Sequence, residues 1–192
     1  LFDGANSRDA MMLKLVDNIL ANGEAGLIDL DLVQQQKVLN AYSFIDENTD
    51  YCFHKLYGEP KQGQKLEEVR DLLLSEIEKL KKGDFGDWVL PAIIQNMKLQ
   101  RMKAAESNDG RASNMMGAFV HDIPWAAWVN EITEMEKVTK QDIIRFVNEK
   151  YKNNYAISYK RLGEAKVHKV EKPKITSVVM NKEDISDFKK GW

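Results

Sequence analysis

Asn22-Gly-Glu-Ala-Gly-Leu-Ile-Asp-Leu-Asp-Leu-Val-Gln-Gln-Gln-Lys37, running into Val38-Leu-Asn-Ala-Tyr-Ser-Phe44, is the stretch whose reading decides the fold. Gly23 suits the C-terminal turn of a preceding helix, because glycine reaches backbone conformations that other residues resist. Residues 26–36 read as a short second helix. The apolar, β-forming run 38–45 then reads as a strand. A helix, a loop with two glycines, a short helix and a strand therefore follow one another within about forty residues.

Upstream, Ser7 is placed to cap a helix whose apolar residues Met12, Leu13, Val16, Ile19 and Leu20 recur at helical spacing. Downstream, residues 50–58 form a second β-rich run. With Asp46-Glu-Asn-Thr-Asp50 between them, the two runs predict an antiparallel hairpin with a five-residue connection. Leu66, Val69, Leu73, Ile77 and Leu80 then stripe one face of a charged helix ending at Lys81-Lys82-Gly83, where cations favour the helix dipole. Helices follow over 87–107, 109–121 and 125–136, with Pro91 tolerable only in a first turn. Thr139 and Asp142 have the form of a capping box opening a helix over 140–151. Asn153-Asn154 turns the chain into Tyr155-Ala-Ile-Ser-Tyr-Lys-Arg161, whose alternation predicts a third strand.

The order of these pieces resembles the second, non-catalytic repeat of the pitrilysin/insulinase family of zinc metallopeptidases. The resemblance is carried by Asn22 to Phe44, Gly83-Asp-Phe85, Glu106-Ser107 with Arg111, and Val138-Thr-Lys-Gln-Asp142, over residues 1–163. It implies an α+β fold, an antiparallel-dominated sheet with several helices packed on it. It also implies one more strand just before Phe2-Asp-Gly4, so that this piece starts at or just after the family's first strand. The alternative is a self-sufficient α+β domain with a small sheet. Residues 164–192 change character: Lys166, Lys169, Lys172 and Lys174 with Pro173 read as a solvated linker. Ile175 to Met180 reads as a short strand or a docking segment, and Asn181 to Phe188 as the start of a helix. By resemblance this stretch leads toward the second half of the parent protein.

Composition excludes several classes. At 43% hydrophobic and 30% charged the chain is an ordinary globular sequence, and a net charge of −2 gives no nucleic-acid surface. No apolar run reaches the roughly 18 residues of a membrane-spanning helix. The chain starts at Leu1 without a signal peptide, so targeting is expected to lie outside it, and the compartment stays open between periplasm and cytoplasm.

The candidate chemistry is thin. The family binds zinc through His-x-x-Glu-His on a helix, whereas the three histidines here, His54, His121 and His168, are never within five residues of one another. Zinc is therefore expected in the parent and not in this piece. Cys52 and His54 share a strand face, which leaves a thiol nucleophile with His54 or His121 as base to be weighed against a buried small hydrophobe. Trp88, Phe119, Trp125, Trp128 and Tyr155 read as packing residues before a ligand platform.

The resemblance implies that this domain helps enclose a chamber for unfolded peptides, which bind as an added strand at a sheet edge. Its partners are then the remaining domains of the parent chain. The alternative is a domain of an inactive scaffold or partner subunit of the same family. In insulinase-like members the loop after the first long helix, with the nearby strand, anchors the substrate's N-terminal part. The matching positions are Asn22, Gly23, Glu24 and Gly26 in the loop, and Asn40 to Phe44 on the strand. Glu24 is the residue expected to pair with a peptide's α-ammonium group. The loop departs from the insulinase pattern by lacking histidines.

Overall fold

The computed structural model describes residues 1–163, 171–174, 176 and 185–191. They divide into two units, Leu1–Ile157 and Ser158–Trp192. In the first, strand β1 (Phe2–Asp3), helix α1 (Arg8–Leu20) and a π-helix (Asp29–Gln34) precede the hairpin β2 (Asn40–Glu47) and β3 (Tyr51–Glu59). Helices α2 (Leu66–Lys82), α3 (Val89–Glu106), α4 (Asn108–Val120), α5 (Trp125–Met135) and α6 (Lys140–Lys150) complete it. The fold is α+β, with a three-stranded antiparallel sheet in the order β1-β3-β2. The described part of the second unit contains one helical turn, Asp187–Lys190. Of the expected segments, residues 175, 177–180 and 181–184 lie outside the described residues.

Helix α1 forms because Ser7 caps it, its side chain accepting from Ala10 N at 3.1 Å. It is stable because it is buried nearly all round, through Ala10, Met12, Leu13, Leu15, Val16, Ile19 and Leu20. The polar positions in that wall each find partners. Lys14 Nζ donates to Glu131 Oε1 at 2.7 Å and lies 3.3 Å from Glu47. Burial works against its charge, yet the two carboxylates outweigh it and hold its pKa above the usual lysine value. Glu131 also takes Arg101 at 2.6 Å, so that α1, α3, α5 and β2 share one ionic cluster. On the sheet side, Ser43 donates to Asp17 at 2.6 Å. His54 lies between Asp17 at 3.0 Å and Tyr151 Oη at 2.5 Å. Burial and the neighbouring Asp17 charge push the Tyr151 phenol up.

Elsewhere the local signals hold. Gly83 adopts φ 72° and ends α2, with Gly83 N donating to Leu80 O and Asp84 N to Lys79 O. Thr139 and Asp142 form the reciprocal capping box of α6. Pro91 occupies the first turn of α3, where its missing N–H costs nothing.

Three expectations are corrected. The hairpin connection is three residues, 48–50, because Asp46 and Glu47 remain in β2 opposite Phe53 and Cys52. Gly23 does not end α1; Ala21 does, its N–H returning to Asp17 O at 2.7 Å. Residues 155–161 join no strand, and the third strand is Phe2–Asp3 itself, paired with Cys52 and Tyr51. Alternation describes two faces of a segment but supplies no partner, and without one an extended segment is not a strand.

Glu76 on α2 is 1% exposed; its Oε1 meets Lys79 Nζ at 3.0 Å while Oε2 has no partner. Burial raises its pKa, although Lys79 acts in the opposite direction. A carboxyl whose folded-state pKa is raised binds protons more tightly when folded. It therefore costs stability as pH rises through that pKa. Lys79 keeps Asp31 at 2.6 Å in its absence. Glu76→Met is predicted to stabilise the domain by about 1 kcal/mol at pH 7.5. The gain should shrink toward pH 4.5 in urea unfolding; destabilisation at pH 7.5 would contradict it.

Candidate functional site

The loop 22–26 is built on one carboxylate. Backbone N–H groups of Asn22, Gly23 and Gly26 donate to Asp29 Oδ2 at 2.8, 2.9 and 3.0 Å. Gly26 precedes the first turn of the following helix, its carbonyl accepting from Leu30 N at 2.9 Å. Asp29 thus reaches back to the start of its own helix, as the third residue of a capping box does, and collects two further loop amides. Asn22 adds its Oδ1, accepting from Glu24 N at 3.0 Å and Ala25 N at 2.9 Å. Gln34 closes the loop on Glu24 O at 3.0 Å. The helix continues as a π-helix, with Lys37 N donating to Leu32 O at 2.8 Å, and delivers the chain to β2.

The two glycines do different work. Gly23 has φ 82° and open space around it. A Cβ on Gly26 would lie 2.5 Å from Leu20 O and 2.7 Å from Ala21 Cα, so Gly26 is glycine because the loop crosses the end of α1.

Between this loop and β2 lies a cleft of about 410 Å³, lined by residues 21–23, by Asp29 and Val33, and by residues 40–43. Asn22, Gly23 and Asn40 are thus brought together. Glu24, Gly26 and Phe44 are not among the lining residues; Glu24 is exposed at the loop and Gly26 is packed beneath it. Asp29, which the sequence reading passed over, lines the cleft although only 8% exposed. The readable signal was its place three residues after Gly26.

Strand β2 lies at the sheet edge. In the antiparallel register, Asn48 N donates to Tyr51 O at 3.1 Å, and alternation from that pair turns the backbone of Asn40, Tyr42, Phe44 and Asp46 toward β3. The N–H and C=O groups of Ala41, Ser43 and Ile45 point away from β3, and the first two residues border the cleft although both are buried. The outer sheet face beside this edge is aromatic. Tyr42 stacks on Tyr57 with centroids 4.8 Å apart, and Lys55 Nζ lies 4.6 Å over Phe53 and 5.2 Å over Phe44.

Cys52, His54 and Trp128 are accounted for by packing. Trp88, Phe119, Trp125 and Tyr155, expected to pack, are exposed, because aromatic character and helical spacing do not show whether a neighbouring element covers that face. Cys52 is buried, and burial raises its pKa, the reverse of an activated thiol. His54 is committed to Asp17 and Tyr151. Among the described residues no group of three or more His, Cys, Asp or Glu side chains is placed to hold a metal. Trp128 lies under Arg101 at 5.5 Å and adds to the ionic cluster on α5. No helix among the described residues is long and apolar enough to cross a membrane.

Residues 1–97 match the family model described as the peptidase M16 inactive domain. The chain belongs to the peptidase M16 family. This is the pitrilysin/insulinase family of the sequence analysis, and the part matched is its non-catalytic repeat. Solved structures agree in fold. A protease from Helicobacter pylori superposes with a TM-score of 0.72 at 21% identity, over 79% of this chain and 37% of that one. The inactive peptidase domain of a protein described as a zinc protease, from Bordetella parapertussis, gives 0.66 at 16% identity over 75% and 78%. This M16 domain therefore spans well under half of the Helicobacter protein's length. No curated protein matches it by sequence.

Gly26→Ala is predicted to destabilise the domain by about 1–3 kcal/mol, because the methyl group meets backbone that cannot move aside. Gly23→Ala, in open space at positive φ, should cost only about 1 kcal/mol. Thermal unfolding of both variants checks the order, and a larger loss at Gly23 would reverse the assignment.

Proposed function

We propose that this domain is a wall of the substrate chamber of a zinc-dependent peptidase and holds unfolded peptide as a strand added to β2. The observation that supports this most directly is the coincidence of the β2 edge with the cleft beneath loop 22–26. An edge strand offers unpaired backbone groups in register with any extended peptide, so affinity comes from the main chain and tolerates many sequences. That suits a degradative enzyme with varied substrates. In this reading Asn22, Gly23 and Asn40 line the floor and one end of the groove. Gly26 holds the loop against α1, Glu24 sits at the rim, and Phe44 flanks the bound strand on the aromatic face.

In this reading the opposite side of the sheet takes the strand that the resemblance implies before Phe2. A strand continuing β1 backward from Phe2 would run antiparallel beside residues 53–59 of β3. The strand that the family places before Phe2 belongs there, which keeps β2 as the edge that meets ligand. Zinc and the catalytic groups belong to another repeat of the parent chain, and the described residues here supply binding alone.

Backbone methylation of the ligand tests this without altering the protein. Two versions of one ten-residue peptide are N-methylated at alternate residues, in complementary registers. The register that blocks the N–H groups facing β2 should weaken binding by about tenfold, the loss of two or three net hydrogen bonds. The other register should bind as the parent peptide does, in fluorescence anisotropy titrations. Equal affinities for the two versions would remove strand addition from the account.

A further inference from the structure

Asn22-Gly23 is the one Asn-Gly pair in the chain. In such a pair the glycine nitrogen can attack the asparagine side-chain carbon, because no Cβ on the second residue obstructs the approach. The N–H proton leaves, an N–Cγ bond forms, ammonia departs with Nδ2, and a five-membered imide results. Water then opens the imide. Breaking the N–Cγ bond gives aspartate. Breaking the bond to the Asn22 backbone carbonyl carbon gives isoaspartate, whose main chain runs through Cβ and Cγ.

The loop holds every reacting group off this path. Gly23 N, the nucleophile, donates to Asp29 Oδ2 at 2.9 Å, and a carboxylate so close opposes negative charge on that nitrogen. Asn22 Oδ1 accepts from Glu24 N at 3.0 Å and Ala25 N at 2.9 Å, while Nδ2 donates to Asn18 O at 3.0 Å. Both ends of the side-chain amide are therefore fixed. Asn22 N and Gly26 N share the same Asp29 oxygen, so the peptide plane between Asn22 and Gly23 turns only if several bonds break together. The restraint is hydrogen bonding and not crowding, since nothing lies within 4 Å of a Cβ placed on Gly23.

We propose that Asn22 is a self-modification site locked by Asp29, converted to aspartate and isoaspartate only when loop 22–26 opens. Either product keeps the loop from closing as before. Aspartate sets a carboxylate oxygen against Asn18 O, where Nδ2 had donated. Isoaspartate inserts an extra main-chain atom, so the amides of residues 22, 23 and 26 no longer reach Asp29 together. Asn22 and Gly23 border the cleft beside β2, and conversion therefore alters that cleft irreversibly. The site records loop opening whether or not peptide binds there.

The test incubates the 192-residue chain and a peptide of residues 18–28 in the same mildly alkaline buffer. Tryptic digestion with mass spectrometry follows conversion at Asn22, and chromatography separates the aspartate and isoaspartate products. The chain should convert at least about tenfold more slowly than the peptide, as expected when two or more net hydrogen bonds must break first. Asp29→Ala removes the shared acceptor and should bring the chain to within about threefold of the peptide. Amide exchange at Gly23 in the unaltered chain gives a second reading. Both reactions need the Gly23 N–H released, so conversion and exchange should be slowed, relative to the peptide, by factors that agree within about threefold. Conversion of the unaltered chain as fast as the peptide overturns the proposal. Faster conversion also overturns it, because Asp29 then acts as a base and not as a lock. An Asp29→Ala chain as slow as the unaltered one does the same. If Asp29→Ala fails to fold, the two factors decide: agreement supports the lock, and conversion that outruns exchange overturns it.

Discussion

Burial of α1 is the constraint on which the rest of the domain depends. A helix buried nearly all round must satisfy every polar group it carries. Lys14 therefore draws Glu131 and Glu47 to itself, and Asp17 draws Ser43 and His54. Those demands fix where α5 and the hairpin sit. Unpairing such a buried charge costs several kcal/mol, so the cluster defines one arrangement even where an apolar substitute would be no less stable. The C-terminus of α1 is fixed in the same way, and Gly26 lies directly against it. The position of the candidate site is thus a consequence of the core.

What was legible in the sequence was local. Ser7, Gly83 and the Thr139–Asp142 pair act on backbone within a few residues, so their meaning survives without knowledge of the fold. The helical stripe of α2 was equally plain, because 3.6-residue periodicity needs no partner to be visible. The errors came where the partner is distant. Asp46 and Glu47 look like turn residues, yet Glu47 stays in β2, where it also meets Lys14. Residues 155–161 alternate like a strand and pair with none. Phe2–Asp3 is too short to signal itself, and becomes a strand because β3 lies beside it.

The site was half legible for the same reason. Asn22, Gly23 and Asn40 were reached through resemblance, and the cleft does bring them together. Asp29 was not, since its partners are backbone amides that any sequence would supply. In Leu-Ile-Asp-Leu-Asp-Leu it looks like one of two acids on a helix surface. The fold separates them: Asp29 turns back under the loop, and Asp31 goes to Lys79. The repeat keeps a hydrogen-bonded loop, an edge strand and a cleft between them. That combination is costly to maintain for packing alone, since an uncovered edge invites aggregation.

Amide hydrogen exchange with and without a saturating unstructured peptide tests the central claim most directly, because it reads individual N–H groups along β2. The account predicts that Ala41 and Ser43, whose N–H groups point away from β3, become protected when peptide is added. Tyr42 and Phe44, already bonded to β3, should change little. Protection confined to other elements, or equal changes at all four residues, would contradict binding by strand addition at this edge.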